Sequence, residues 1–226
     1  MPGHLTLTAA PAAEPVSLAE AKLHLRVDTD VTADDDLITS LATAARQWVE
    51  EICGRSLITQ TWQLALPGFP GATGVLGVPV YGVDPLSLPG TPVSGSVAFR
   101  YALRLPRGMV QSITSVKYRD TTGTLVTLDP STYVLSADAW EATLTPAPGG
   151  IWPTTLVHPE GVVITYDAGY GDAGTDVPQG IIAAIKLLVG TWYENREAVT
   201  LVRFTADEVP FTVTALLAPY RILEFV

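Results

Sequence analysis

Helical sequence stands at both ends of this chain, and a long stretch of β-type sequence separates the two ends. A helix with an apolar face must bury that face against another element, so the two helical regions are expected to share one core. Apolar residues make up 47% of the sequence and charged residues 16%, which is a composition that folds. The sequence therefore predicts an α+β fold. Residues 1–55 and 176–226 form a helical core, and residues 56–175 form an inserted small antiparallel β domain.

The two helices of the N-terminal region have clear start and stop signals. Ser17 and Glu20 have the spacing of a capping box, and the helix that they start is expected to end near Val27. Asp34–Asp36 open a second helix, where carboxylates favour the positive end of the helix dipole. These acids lack the spacing of a calcium loop. Gly54 is a suitable stop for the second helix, whose apolar stripe is predicted to be Leu37, Leu41, Ala44, Ala45, Trp48 and Ile52.

The C-terminal helices are predicted in the same way. Asp176 is expected to cap the longer helix, with Pro178 in its first turn. A broad apolar stripe that begins at Ile181 and reaches Trp192 indicates a helix buried on two sides. Residues 211–217 can form one further short helix.

Period-two alternation indicates the strands of the middle region. The predicted strands are residues 56–66, 101–105, 113–119, 125–128, 133–135, 142–145 and 162–166. Residues 67–92 contain six prolines and six glycines, which excludes a helix and disfavours a central strand. Residues 67–100 are therefore predicted to be a long loop, and loops of this length usually serve function or interaction.

The charge pattern limits the kinds of partner. The formal net charge is −10, and residues 14–54 hold nine acids against three bases. No basic stripe is present, so the sequence does not predict a tight grip on nucleic acid phosphates. An acidic surface would instead let DNA pass without sticking.

Chemistry-bearing motifs are missing from the sequence. Its three histidines, His4, His24 and His158, are far apart, and Cys53 is the only cysteine. None of the usual metal, nucleotide or nucleophile motifs occurs. We therefore expect no enzyme, catalytic residue, metal site or cofactor. The sequence also shows no signal peptide and no membrane-spanning run, so synthesis in the cytosol is expected.

An ordered series of short motifs resembles the head–tail connector (adaptor) proteins of tailed phages, including related gene transfer agent adaptors. The series covers most of the chain and departs from the family at residues 67–100, which look longer than usual. The matching segments are residues 15–27, 37–38, 44–46, 54–62, 105–107, 112–116, 128–133, 166–171, 192–197, 210–211 and 215–221.

The resemblance implies a structural role in a virion or phage-like particle. Such connectors form a ring of about twelve copies with head-to-tail contacts. The ring lies under the portal protein, continues the DNA channel and joins the head to a downstream stopper or tail-terminator protein. DNA then passes without sequence-specific binding, no membrane is involved, and the particle is assembled in the host cytoplasm.

Three sets of residues follow as candidate contacts. The apolar tail with its aromatic and arginine residues is a candidate portal interface. The polar cluster at the end of the long C-terminal helix is a candidate subunit interface, although helix-end salt bridging is the plainer explanation for it. The acids of the second helix are candidates to face the channel. The candidate portal interface is Tyr220, Arg221, Ile222, Leu223 and Phe225. The candidate subunit interface is Glu194, Arg196 and Glu197, and the candidate channel-facing acids are Asp34, Asp35 and Asp36.

A second interpretation assigns function to the β domain. Trp140 and Trp152, with the loop at residues 67–92, could form an aromatic platform that binds a glycan or a host surface. The two interpretations differ in which part of the chain meets a partner.

Overall fold

The computed structural model describes residues 3–70, 101–137, 142–195 and 211–222. The described residues fall into two compact units. One, the β unit, draws on Met1–Ala10 and Gln60–Ala168; the other, the helical unit, draws on Pro11–Thr59 and Gly169–Val226. The α+β fold class is thus confirmed. The predicted loop at residues 67–100 lies almost wholly outside the described residues.

Four helices occur in the described part of the helical unit: α1 (Leu18–Leu25), α2 (Asp35–Cys53), α3 (Gln179–Glu194) and α4 (Phe211–Leu217). The capping box is confirmed, because Glu20 N donates to Ser17 Oγ while Ser17 N donates to Glu20 Oε2 at 3.1 Å. Helix α1 ends before Val27, since Arg26 turns into the left-handed region at φ 58°. Gly54 ends α2 as predicted, with φ 65°.

Asp176 does not cap α3, and that prediction is wrong. Its carboxylate reaches back to the Ala173 amide at 3.1 Å and closes a short 3₁₀ turn at Gly174–Asp176. Val177 is extended, and α3 begins after Pro178 without a side-chain cap. Pro178 is itself the N-cap residue, one position before the first turn in which the sequence placed it, and its carbonyl accepts the amides of Ile181 and Ile182.

The core of the helical unit is continuous over its helices and the segments that flank them. In α2 the buried stripe is Ile38, Ala42, Ala45, Val49 and Cys53, which lies mostly one residue beyond the predicted stripe. Leu41, Trp48 and Ile52 of the predicted stripe are only partly buried and pack against the edge of this core. The buried stripe of α3 is confirmed from Ile181 to Val189. The buried core residues are Val16, Ala21, Ile38, Ala42, Ala45, Val49, Cys53, Leu57, Ile58, Val177, Ile181, Ile182, Ala184, Ile185, Leu188, Val189, Val213 and Leu217.

The described part of the β unit holds two antiparallel sheets rather than the single sheet expected. Its strands are β1 (His4–Ala9), β2 (Gln60–Leu66), β3 (Leu103–Leu105), β4 (Val110–Arg119), β5 (Leu125–Thr127), β6 (Tyr133–Ala137), β7 (Ala142–Pro146) and β8 (Val162–Ala168). One sheet has the order β1-β2-β8-β4-β5, and the other has β3-β7-β6. Alternating burial along β8 places Val162, Ile164 and Tyr166 in the core of this unit.

Strand β1 changes the expected division of the chain. Residues 1–55 were expected to lie with the helices, yet His4–Ala9 pairs with β2, with Leu5 opposite Leu64. The segment alternates leucine and threonine, and Leu5 packs against the β core. His4–Ala9 therefore lies with the strands and not with the neighbouring helices.

Candidate functional site

Helix α2 carries a buried charge network that fastens the segments on either side of it. Arg46 donates through Nε to Glu14 Oε2 at 2.8 Å and through an Nη to Glu50 Oε2 at 2.7 Å. The other oxygen of Glu50 accepts the amide of Leu57 at 2.9 Å, and Thr43 donates to Glu14. Arg46 and Glu50 are both nearly fully buried. The network thus ties the chain before α1 and the chain after α2 to one face of α2.

The predicted channel-facing acids have different environments. Asp34 accepts a hydrogen bond from the Tyr193 hydroxyl, and Asp35 pairs with Lys22 at 2.8 Å. Lys22 is buried and also donates to the carbonyls of Thr29 and Val31. Asp36 is exposed. Asp35 therefore helps to organise the α1–α2 loop through Lys22, Asp34 links the start of α2 to Tyr193 of α3, and Asp36 is the member presented to solvent.

The predicted portal-interface residues begin with a segment that is folded onto the helical unit. Tyr220 is half-buried against the helical core, and its carbonyl accepts Arg55 Nε at 2.6 Å. The Ile222 amide donates to the Cys53 carbonyl at 2.9 Å, while the side chain of Arg221 is exposed. Leu223 and Phe225 lie outside the described residues.

Glu194 is the last residue of α3 and is exposed. Arg196 and Glu197, which were predicted to join it at a subunit interface, lie outside the described residues. The end of α3 is closed by Asn195, whose side-chain amide donates to the Thr191 carbonyl at 2.8 Å. The same carbonyl also accepts the Asn195 main-chain amide at 3.1 Å, so it has two donors at the helix end.

Burial makes Cys53 chemically quiet. Its side chain is fully buried at the end of α2. Desolvation raises the pKa of the thiol to about 11, although the charges of Arg55 and Arg221 act in the opposite direction. The thiolate is therefore scarce at neutral pH, which fits the interpretation of Cys53 as a small apolar core residue.

The aromatic platform proposed for the β unit is contradicted at Trp152. Its ring stacks on Phe69 with centroids 4.5 Å apart, and its Nε1 donates to the Tyr101 carbonyl at 2.6 Å. The side chain is only 5% exposed, so it cannot offer a free face to a sugar. Trp140 lies outside the described residues. A shallow cleft of about 420 Å³ beside Trp152 is lined by Leu128, Thr132, Ile151, Pro153 and Thr154.

Asp167 joins three strands of the five-stranded sheet through hydroxyl donors. Its carboxylate accepts the hydroxyl of Thr61 from β2 at 2.7 Å, and the hydroxyls of Ser112 and Thr114 from β4 at 3.2 and 3.4 Å.

Within the part of the chain that the structure describes, no cluster of three His, Cys, Asp or Glu side chains could hold a metal ion. The same described residues include no helix long and apolar enough to cross a bilayer.

Most of the negative charge belongs to one unit. The segments Pro11–Thr59 and Gly169–Val226 hold sixteen acidic and eight basic residues, a net charge of −8. The rest of the chain holds seven and five, a net charge of −2. The helical unit therefore carries most of the net charge that attracts or repels charged partners at long range.

Sequence reasoning did not anticipate the roles of Arg46, Lys22 and Arg55. Arg46 and Glu50 have the i,i+4 spacing of a helical ion pair, and that signal could have found their contact. Nothing local marks Lys22 or Arg55, because their acceptors lie in a loop and in a segment 165 residues further along the chain.

Together these features define a two-unit α+β protein in which buried basic residues fasten loops and a terminal segment to the helices. The resemblance to connector proteins is confirmed, since the model of the phage gp6-like head-tail connector protein family matches residues 15–90. No curated protein matches the sequence.

Solved structures share the fold over almost the whole chain. A chain in the neck of an empty gene transfer agent particle, computed with C6 symmetry, aligns with a TM-score of 0.72 and 21% identity, over 99% of this chain and 97% of that one. A chain in the virion of a native gene transfer agent particle aligns with a TM-score of 0.70 and 21% identity, over 98% and 97%. A chain in the neck of the native particle, computed with C12 symmetry, aligns with a TM-score of 0.69 and 20% identity. That alignment covers 99% of this chain and 97% of the other.

Proposed function

We propose that this protein is a structural head–tail connector in the neck of a tailed phage or phage-like particle. The observation that carries the proposal is the agreement of two independent likenesses. The connector family matches residues 15–90, and the fold of a chain in a particle neck extends over 99% of the chain. In this role the protein forms a ring of about twelve copies with head-to-tail contacts.

The ring lies under the portal protein, continues the DNA channel and offers its other side to a downstream stopper or tail-terminator protein. The net charge of −8 on the segments of the helical unit supports a channel wall that does not retain DNA. Structural work of this kind requires no cofactor and no catalysis. The C12 symmetry of a neck that contains a similar chain supports the copy number.

Cryo-electron microscopy of the intact particle tests the connector role. We expect density for this chain as a closed ring between the portal and the tail, with about twelve copies. Density for the chain on a fibre or on the capsid surface, with none at the neck, would overturn the proposal and favour a surface-binding module.

We propose that Asp36 faces the channel. Replacing all of Asp34–Asp36 would be a poor test, because Asp34 and Asp35 hold Tyr193 and Lys22. The sharper change is Asp36→Lys, and Asp172→Lys is a matched control because Asp172 is also an exposed acid of the helical unit.

The assay is the rate at which assembled particles release their DNA. An added cation in the channel attracts phosphates, so Asp36→Lys should slow release while Asp172→Lys leaves it unchanged. A release rate for Asp36→Lys equal to that of the wild-type particle would reject a channel-facing Asp36 without affecting the connector role.

We further propose that Glu194, with Arg196 and Glu197, contacts the neighbouring subunit. Glu194→Arg should lower the fraction of chain found in rings by native mass spectrometry, because it reverses a charge at the contact. Glu160→Arg, an exposed site on the β unit, is the control. Equal ring fractions for the two variants would show that Glu194 only terminates its helix.

A further inference from the structure

We draw no further inference here: the strongest candidate, the exposed apolar surface at Leu23 of α1 and Val31 of the α1–α2 loop, beside the exposed acids Asp28 and Asp30, carries none because nothing in the described part of the structure shows what covers it.

Discussion

Replacing Glu50 by alanine should destabilise the helical unit more than any exposed change on α2. Glu50 serves two partners at once: one oxygen accepts Arg46 at 2.7 Å, and the other accepts the Leu57 amide at 2.9 Å. Both side chains of the ion pair are at least 92% buried. Truncation at Glu50 removes one of the two carboxylates that pair with Arg46 in this network, so that Glu14 alone remains. It also removes the side-chain acceptor of the Leu57 amide.

The magnitude follows from these contacts. Removing one partner of a buried ion pair costs about 3–5 kcal/mol, because the other charge stays buried. Glu14 still pairs with Arg46 and is 27% exposed, so the lower end of this range applies. Glu50→Gln keeps an acceptor for the Leu57 amide and loses only the charge, and we expect about 1–2 kcal/mol for it.

Urea unfolding followed by helical circular dichroism measures these differences. Gln47→Ala is the control, because Gln47 lies on the exposed side of the same helix and alanine is a good helix former. We expect the order of stability to be Gln47→Ala, then Glu50→Gln, then Glu50→Ala. A loss below about 1 kcal/mol for Glu50→Ala would refute the argument, because it would mean that Arg46 is solvated in the folded chain.

Three further predictions concern α1 and the end of α2. Cys53, with its pKa raised to about 11, should react with a thiol reagent at pH 8 at least about a hundredfold more slowly in the folded chain than in urea; equal rates would show an open site. Lys22→Met should cost about 1–3 kcal/mol in urea unfolding, since it removes the donor to two loop carbonyls; an unchanged midpoint would mean that the loop is held by other contacts. Ser17→Ala should cost about 1 kcal/mol at pH 7. Most of this loss comes from the Glu20 amide, which donates to Ser17 Oγ, and is independent of pH. The Ser17 amide and hydroxyl both lower the pKa of Glu20, and the substitution removes only the share of the hydroxyl, so a smaller part of the loss is present above pH 4.5 and disappears as the pH falls through the lowered value. A Ser17→Ala loss that grows as the pH falls from 7 to 3 would contradict this cause.

Local sequence was sufficient for most helix boundaries and for several strands. Ser17 with Glu20 and the glycine at position 54 each act on backbone groups within one turn, so they work wherever the helix is placed. The alternation of Gln60–Leu66 likewise reports a sheet with one buried face. Asp176 shows the limit, because a single carboxylate can close the preceding turn or cap the following helix.

Tertiary structure decided which candidate residues face outward. Periodicity finds the apolar side of α2 but cannot choose between two adjacent rows, so the buried row was misplaced by one residue. The sequence made Trp152 a candidate glycan-binding platform, but its ring is covered by the stacked ring of Phe69. The three acids at the start of α2 are alike in sequence, and only their distances from Tyr193 and Lys22 separate Asp36 from the other two.

Capping, turn and period signals lie within a few residues of each other, and the sequence by itself therefore determined the helices, many of the strands and the family resemblance. Burial and long-range pairing depend on segments far apart in the chain, such as Arg55 and Tyr220. No local pattern encodes that pair, since a basic residue after a helix stop is ordinarily solvated. Only the folded chain shows it buried, because only folding brings the Tyr220 carbonyl within hydrogen-bonding distance of the end of α2.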